Sequence, residues 1–342
     1  MTKIDIISGF LGAGKTTLIQ KLLKEALGGT KVVLIENEFG EIGIDGGFLK
    51  DAGIEIKEMN SGCICCSLVG DFGASLQEVL KAYAPERIII EPSGVGKLSD
   101  VMAAVKNATE NDAVELNSAV AVVDAKKAKM YIKNFGEFFV NQIEHAGTVV
   151  LSRTDQLSQE KIEEVVGLIR EHNQKATVIT TPWPELTGGQ ILSTIEGATD
   201  LEKELMEEAL RAHEEHEREH HHHHDHDHEH HHEHEHEHDH EHHHEHHHDH
   251  DADEIFTSFG LETPAKYTKE EITAILAKLE DEAGYGMILR AKGMVASDSS
   301  WIHFDYTPGE PNVRDGAADV TGKICVIGSD LKEDALRELF QK

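Results

Sequence analysis

Long apolar runs are missing from this 342-residue chain. No stretch approaches the ~18 residues that a bilayer-spanning helix needs. The first residues pass directly into a short strand pattern, with none of the features of a secretory leader, so a cytoplasmic location is expected. Cysteine is scarce: there are four, three of them inside four consecutive positions. That spacing excludes a disulfide framework and leaves metal or redox chemistry. Positive charge is also short, since 32 Lys and Arg face 64 Asp and Glu for a formal net charge of -32. Nucleic acid and anionic membrane bind through clustered Lys and Arg, so neither is an expected partner, and cations are the natural ones. A hydrophobic content of 39% with 28% charged residues fits a globular chain. The length suggests about two domains.

What the chain does have is Gly9-Phe10-Leu11-Gly12-Ala13-Gly14-Lys15-Thr16, a complete GxxxxGK[ST] motif. The apolar run Ile4 to Ile7 precedes it and a helical pattern (Leu18, Ile19, Leu22, Leu23) follows. In that setting the glycines let backbone N–H groups turn toward a phosphate, and the helix N-terminus adds positive potential. Gly12, Ala13 and Gly14 are the cradle, Lys15 reaches the β and γ phosphates, Thr16 offers a hydroxyl to Mg2+, and Thr17 donates to the α phosphate.

The next strand pattern, 31–35, ends in an acidic loop from Glu36 to Asp45. Loops at the carboxyl ends of strands carry the ligand site in open α/β sheets, so this segment reads as a switch loop. Glu36 and Glu41 are candidate metal ligands, and Glu41 and Asp45 are candidate groups for positioning a hydrolytic water. A strand is expected at 54–59, followed by Gly62-Cys63-Ile64-Cys65-Cys66. Three thiolates at this spacing converge on one ion if the chain turns at Gly62; the ions they suit are soft or borderline, and a fourth ligand is needed to close a tetrahedral site. An inert cysteine cluster and a redox pair are the competing readings. Beyond a helix near 72–83, the strand 87–90 ends in Glu91-Pro92-Ser93-Gly94. Glu91 occupies the place of the carboxylate that orients the Mg2+ water shell, and the Gly94 N–H that of a γ-phosphate contact.

Strands at 119–123 and 148–151 follow, the second leading to Ser152-Arg153-Thr154-Asp155. A purine-reading segment belongs here: Asp155 accepts from guanine N1 and N2, Arg153 lays its stem over the base, and Ser152 stands where an Asn brace is usual. Guanine is therefore expected over adenine. A strand at 178–181 closes an alternating strand and helix pattern, the signature of a doubly wound, mostly parallel sheet of the P-loop NTPase type.

After a charged helical pattern from Leu201, residues 213–251 hold 23 histidines, 15 acidic residues and one arginine. With nothing apolar to bury, the tract is expected to be frayed helix or disorder that offers many weak, exchangeable metal sites, His220, His221, His222, His223 and His224 among them. The last ninety residues predict a small α+β domain: strands at 254–261, 286–293, 300–306 and 323–327, and helices at 269–282 and 332–340. Arg290, Lys292 and Trp301 are candidates for contact with a partner or with the nucleotide domain, while Cys325 and His303 read as core. The expected division is 1–197, 198–252 and 253–342.

The segments GFLGAGKTT, ENEFGEIGID, GCICC, EPSG and SRTD in one chain resemble the CobW-type GTPases of the P-loop metallochaperone group, relatives of the nickel-handling hydrogenase and urease accessory GTPases. The resemblance is strong to about Thr194, and the RAKG segment looks like that family's C-terminal domain. It implies GTP hydrolysis coupled to delivery of a transition metal. Cys63, Cys65 and Cys66 match the metal motif, and Gly12 to Thr17 match the phosphate motif. Zn2+ is the favoured ion, with Co2+ and Ni2+ admitted, and a client metalloprotein or cofactor-synthesis enzyme is the expected partner. A homodimer is an admitted assembly. Two other classes stay open: a His-rich metal buffer regulated by nucleotide, and an ATP-dependent kinase or hydrolase.

Overall fold

The computed structural model of the chain describes residues 1–36, 55–58, 69–109, 114–197 and 257–341. Among them, seven strands form one parallel sheet: β1 (Thr2–Gly9), β2 (Val32–Glu36), β3 (Glu55–Glu58), β4 (Arg87–Glu91), β5 (Val114–Asp124), β6 (Thr148–Ser152) and β7 (Thr177–Ile179), in the order β3-β2-β4-β1-β5-β6-β7. Parallel strands covered on both faces read as continuous apolar runs. Accordingly, Val32 to Ile35 and Ile88 to Ile90 are all buried.

Alternate residues of those runs supply two separate cores. On one face Ile4, Val33 and Ile88 pack against α2 (Val69–Tyr83), α3 (Leu98–Thr109), α4 (Ala128–Glu144) and α5 (Gln159–His172). On the other, Ile7, Val32 and Ile89 meet α1 (Lys15–Glu25) and α6 (Gly188–Ile195). β1 lies between β4 and β5, so the chain switches direction across the sheet beside it. The crevice at the carboxyl end of such a strand is where α/β sheets bind ligands.

A second, antiparallel sheet follows: β8 (Thr257–Thr263), β9 (Met287–Ala296), β10 (Trp301–Thr307), β11 (Glu310–Gly316) and β12 (Gly322–Ser329), in the order β11-β10-β9-β12-β8. Helices α7 (Lys269–Lys278), α8 (Glu282–Tyr285) and α9 (Glu333–Phe340) accompany it. α7 begins at Thr268, whose hydroxyl and the Glu271 carboxylate form a reciprocal capping box. Ile272, Leu276, Leu336 and Phe340 join the core of this sheet. The helix expected over 269–282 stops at Lys278 and resumes as the short α8. The edge strand β11 is an addition to the expected elements, because its sequence, EPNVRDG, lacks apolar alternation. His303 is half-buried instead of core, with Nε2 2.9 Å from the Ala317 carbonyl.

The two sheets are joined by direct bonds. The Thr180 and Thr181 N–H groups both donate to the Val320 carbonyl, and the Thr181 hydroxyl donates to the Asp319 carbonyl at 2.7 Å. The Val320 side chain is fully buried in the α1 face of the first sheet's core.

Candidate functional site: a glycine loop and the cavity beside it

β1 ends at Gly9, where a Cβ would lie 2.4 Å from the Val122 carbonyl oxygen, so only glycine lets the loop leave the sheet there. The loop closes with the Ala13 N–H donating to the Phe10 carbonyl at 3.1 Å. Gly14 then takes φ 105° as the residue before α1. Phe10 anchors the loop from below, with its ring centroid 4.6 Å from Tyr131 and 5.1 Å from Phe135 of α4. The first turn of α1 therefore presents its unpaired N–H groups at the end of the fixed loop, the arrangement that attracts an anion.

Three side chains meet beneath the loop. Lys15 and Glu91 are both about 95% buried, with Lys15 Nζ 4.0 Å from Glu91 Oε1. The Thr16 hydroxyl donates to Glu91 Oε1 at 3.1 Å. A hydroxyl and a carboxylate are hard oxygen donors of the type Mg2+ takes, usually together with waters and phosphate oxygens. Thr16 and Glu91 thus fit that ion. Glu36, at the carboxyl end of β2, stands in register with Glu91 on β4 and with Glu58 on β3. The loop after β4 rests on the phosphate loop, since a Cβ at Gly94 would come 2.9 Å from the Leu11 nitrogen. Thr17 is exposed at the rim.

A cavity of about 380 Å³ opens beside Gly14, Thr17, Arg153, Asp155 and Trp183, a size suited to a small ligand. Arg153 sits in the left-handed region at φ 61°. Its guanidinium is tied to the buried Asp124 carboxylate and donates to the Gly12 carbonyl at 3.0 Å. The head of Arg153 is therefore committed to the loop. Ser152 is buried, with its hydroxyl 3.4 Å from the Val123 carbonyl. Asp155 is exposed and also borders a second cavity of about 500 Å³, where Trp301 and Gly322 of the second sheet face Thr181. Trp301, expected at a contact surface, lines this junction.

Trp183 was not singled out in the sequence. It follows β7 in Pro182-Trp183-Pro184, donates Nε1–H to the Leu151 carbonyl at 2.9 Å, and brings its ring 3.3 Å from a Cβ at Gly14. The aromatic residue between two prolines was the available signal. Glu41, Asp45, Cys63, Cys65, Cys66 and His220 to His224 lie outside the described residues. Among the described residues, no three His, Cys, Asp or Glu side chains form a metal-holding group, and no helix is long and apolar enough to cross a membrane.

Comparison with known proteins agrees with this geometry. Residues 3–180 match the CobW/HypB/UreG nucleotide-binding domain, and residues 256–342 match the cobalamin synthesis protein cobW C-terminal domain. The zinc chaperone YeiR of Escherichia coli is 32% identical over 160 residues, 47% of this chain and 49% of that protein. The zinc chaperone CobW of a Sinorhizobium species is 31% identical over 219 residues, 56% of this chain and 60% of that protein. The matched part thus spans about half to three-fifths of these relatives. The crystal structure of the Zn(II)-bound YjiA GTPase from E. coli covers 99% of this chain and 98% of its own at 19% identity, with a TM-score of 0.45. With a nucleotide-binding domain matched over 3–180 and a C-terminal domain over 256–342, the chain belongs to the CobW/HypB/UreG family.

Proposed function

We propose that the chain is a slow GTPase that binds a transition metal, zinc first among candidates, and releases it to a client protein according to the bound nucleotide. The observation that carries the nucleotide half is the convergence of Lys15, Thr16 and Glu91 under a glycine loop whose shape is fixed from below by Phe10. Lys15 and the α1 N–H groups hold the phosphates, Thr16 and Glu91 hold Mg2+, and Asp155 selects guanine. Bound Mg2+ neutralises charge on the β and γ oxygens. Relatives named as zinc chaperones support the metal half. The metal ligands are assigned to Cys63, Cys65 and Cys66, with Glu36 or Glu41 completing the set. No glutamine stands in an obvious water-orienting place, so hydrolysis is expected to depend on a partner.

Glu36, in register with Glu91, belongs to both halves of this reading, so nucleotide and metal affinities are coupled, typically by ~1 to 3 kcal/mol and reciprocally. An anaerobic zinc titration of the full chain, with GDP or with a nonhydrolysable GTP analogue, tests this. Two different affinities in wild type that become equal in Cys65→Ser are expected. Equal affinities in wild type would refute the coupling.

A further inference from the structure

Gln142 lies in α4 and is only 1% exposed. Its side-chain Nε2 donates to two backbone carbonyls of the loop after β4, Gly94 at 3.2 Å and Gly96 at 2.9 Å. Its Oε1 is buried without a hydrogen-bond partner. A buried unpaired acceptor costs ~1 to 3 kcal/mol, and a methionine or leucine of similar volume would avoid that cost. The amide therefore needs a reason beyond packing.

The reason is in what it holds. A trans peptide points each carbonyl opposite the following N–H, so fixing the Gly94 and Gly96 carbonyls toward α4 fixes how the rest of this loop faces Leu11. The turn is closed on its inner side by the Gly96 N–H donating to the Ser93 carbonyl at 2.9 Å. The residue before Gln142 grips the far end of the same segment: Asn141 accepts from the Ser99 N–H at 3.2 Å and donates to the Ser99 hydroxyl at 3.1 Å. The same helix also packs Tyr131, Phe135 and Phe139 on Phe10. One helix thus holds both the phosphate loop and the glycine loop that lies over it.

We infer that Gln142 is a positioning residue for the γ-phosphate response: its amide latches the Gly94 loop and thereby sets how far the protein prefers GTP to GDP. This rests on the guanine-nucleotide reading above. GDP lacks the phosphate that Gly94 answers to, so the latch acts on GTP alone. The test is to measure affinities of the full chain for GDP and for a nonhydrolysable GTP analogue with Mg2+, in wild type, Gln142→Met and Gln142→Asn. Met keeps the volume and removes the donor; Asn keeps the amide one methylene short of its acceptors. Analogue affinity is expected to fall at least about fivefold, the low end of typical coupling, while GDP affinity stays within about twofold. If Gln142→Met does not fold, Gln142→Asn carries the same comparison. A ratio of the two affinities that matches wild type in the folded variants overturns the role of Gln142. Parallel loss of both affinities does so as well, because it marks a merely structural residue. Wild type that binds neither nucleotide refutes the underlying functional reading instead.

Discussion

Asp155 borders the cavity beside Gly14 with no hydrogen-bond or ion-pair partner among the described residues. On the proposed guanine reading its carboxylate accepts from the base, and a charge-assisted hydrogen bond contributes ~1.5 to 3 kcal/mol. Asp155→Ala is expected to weaken GTP about 10- to 100-fold in competition binding while leaving ATP unchanged. An equal loss for both would assign Asp155 to structure. At the opposite end of the sheet, Arg87 bonds the buried Asp5 at 2.7 Å and also bonds Glu196, which Lys3 reaches at 2.9 Å. Burial pushes the Glu196 carboxyl up, but the bonds from Arg87 and Lys3 outweigh it, and the net direction is down. A lowered carboxyl stabilises the fold above its unfolded pKa of ~4.3 and loses that contribution as pH falls through its folded value. Urea midpoints of Glu196→Gln should accordingly decline less than those of wild type between pH 5 and pH 3 (about the window set by those values). The loop after β1 and the family were legible because a glycine-rich loop between a strand and a helix has residue types at fixed spacing. Gln142 and Trp183 were not, because their partners, Gly94 and Gly14, lie far away in sequence and are met only in the fold.

The segment after β7 links two sheets and one pocket. Thr180 and Thr181 hang on Val320, and two residues further on Trp183 forms a wall of the cavity beside Gly14. The second sheet thus holds the segment that walls this cavity. Val320→Asp places a charge in an apolar core, where an unpaired carboxylate is strongly disfavoured. Calorimetry of this variant should show the two sheets melting apart, together with weakened GDP binding. A single unshifted transition would show that the junction carries little. Element type was readable in the first sheet because buried parallel strands are continuous apolar runs. In the second sheet β11 was hidden, since Glu310, Pro311 and Asn312 on an exposed edge read as a turn.

Across the molecule, acidity is spread between the histidine tract and the rest, and 64 acidic residues in one chain draw cations of every kind. A chaperone needs one tight site that stands out from that background. Removing 213–251 should abolish most of the weak zinc capacity in equilibrium dialysis and leave one tight equivalent that Cys65→Ser then removes. If the tight equivalent goes with the tract, the protein is a buffer. The strand order has a further consequence, for biosynthesis. β1 is made before both its neighbours, β4 and β5, which lie some eighty to over a hundred residues later. Long-range parallel pairing is slow to form, so β1 and the phosphate loop behind it have no paired neighbour until β4 has emerged, and none on the other side until β5. The clamp on Thr180 waits longer still, for Val320. Docking of the second sheet on the segment after β7 is thus expected only after nearly all of the described chain has been made, as a late step of maturation.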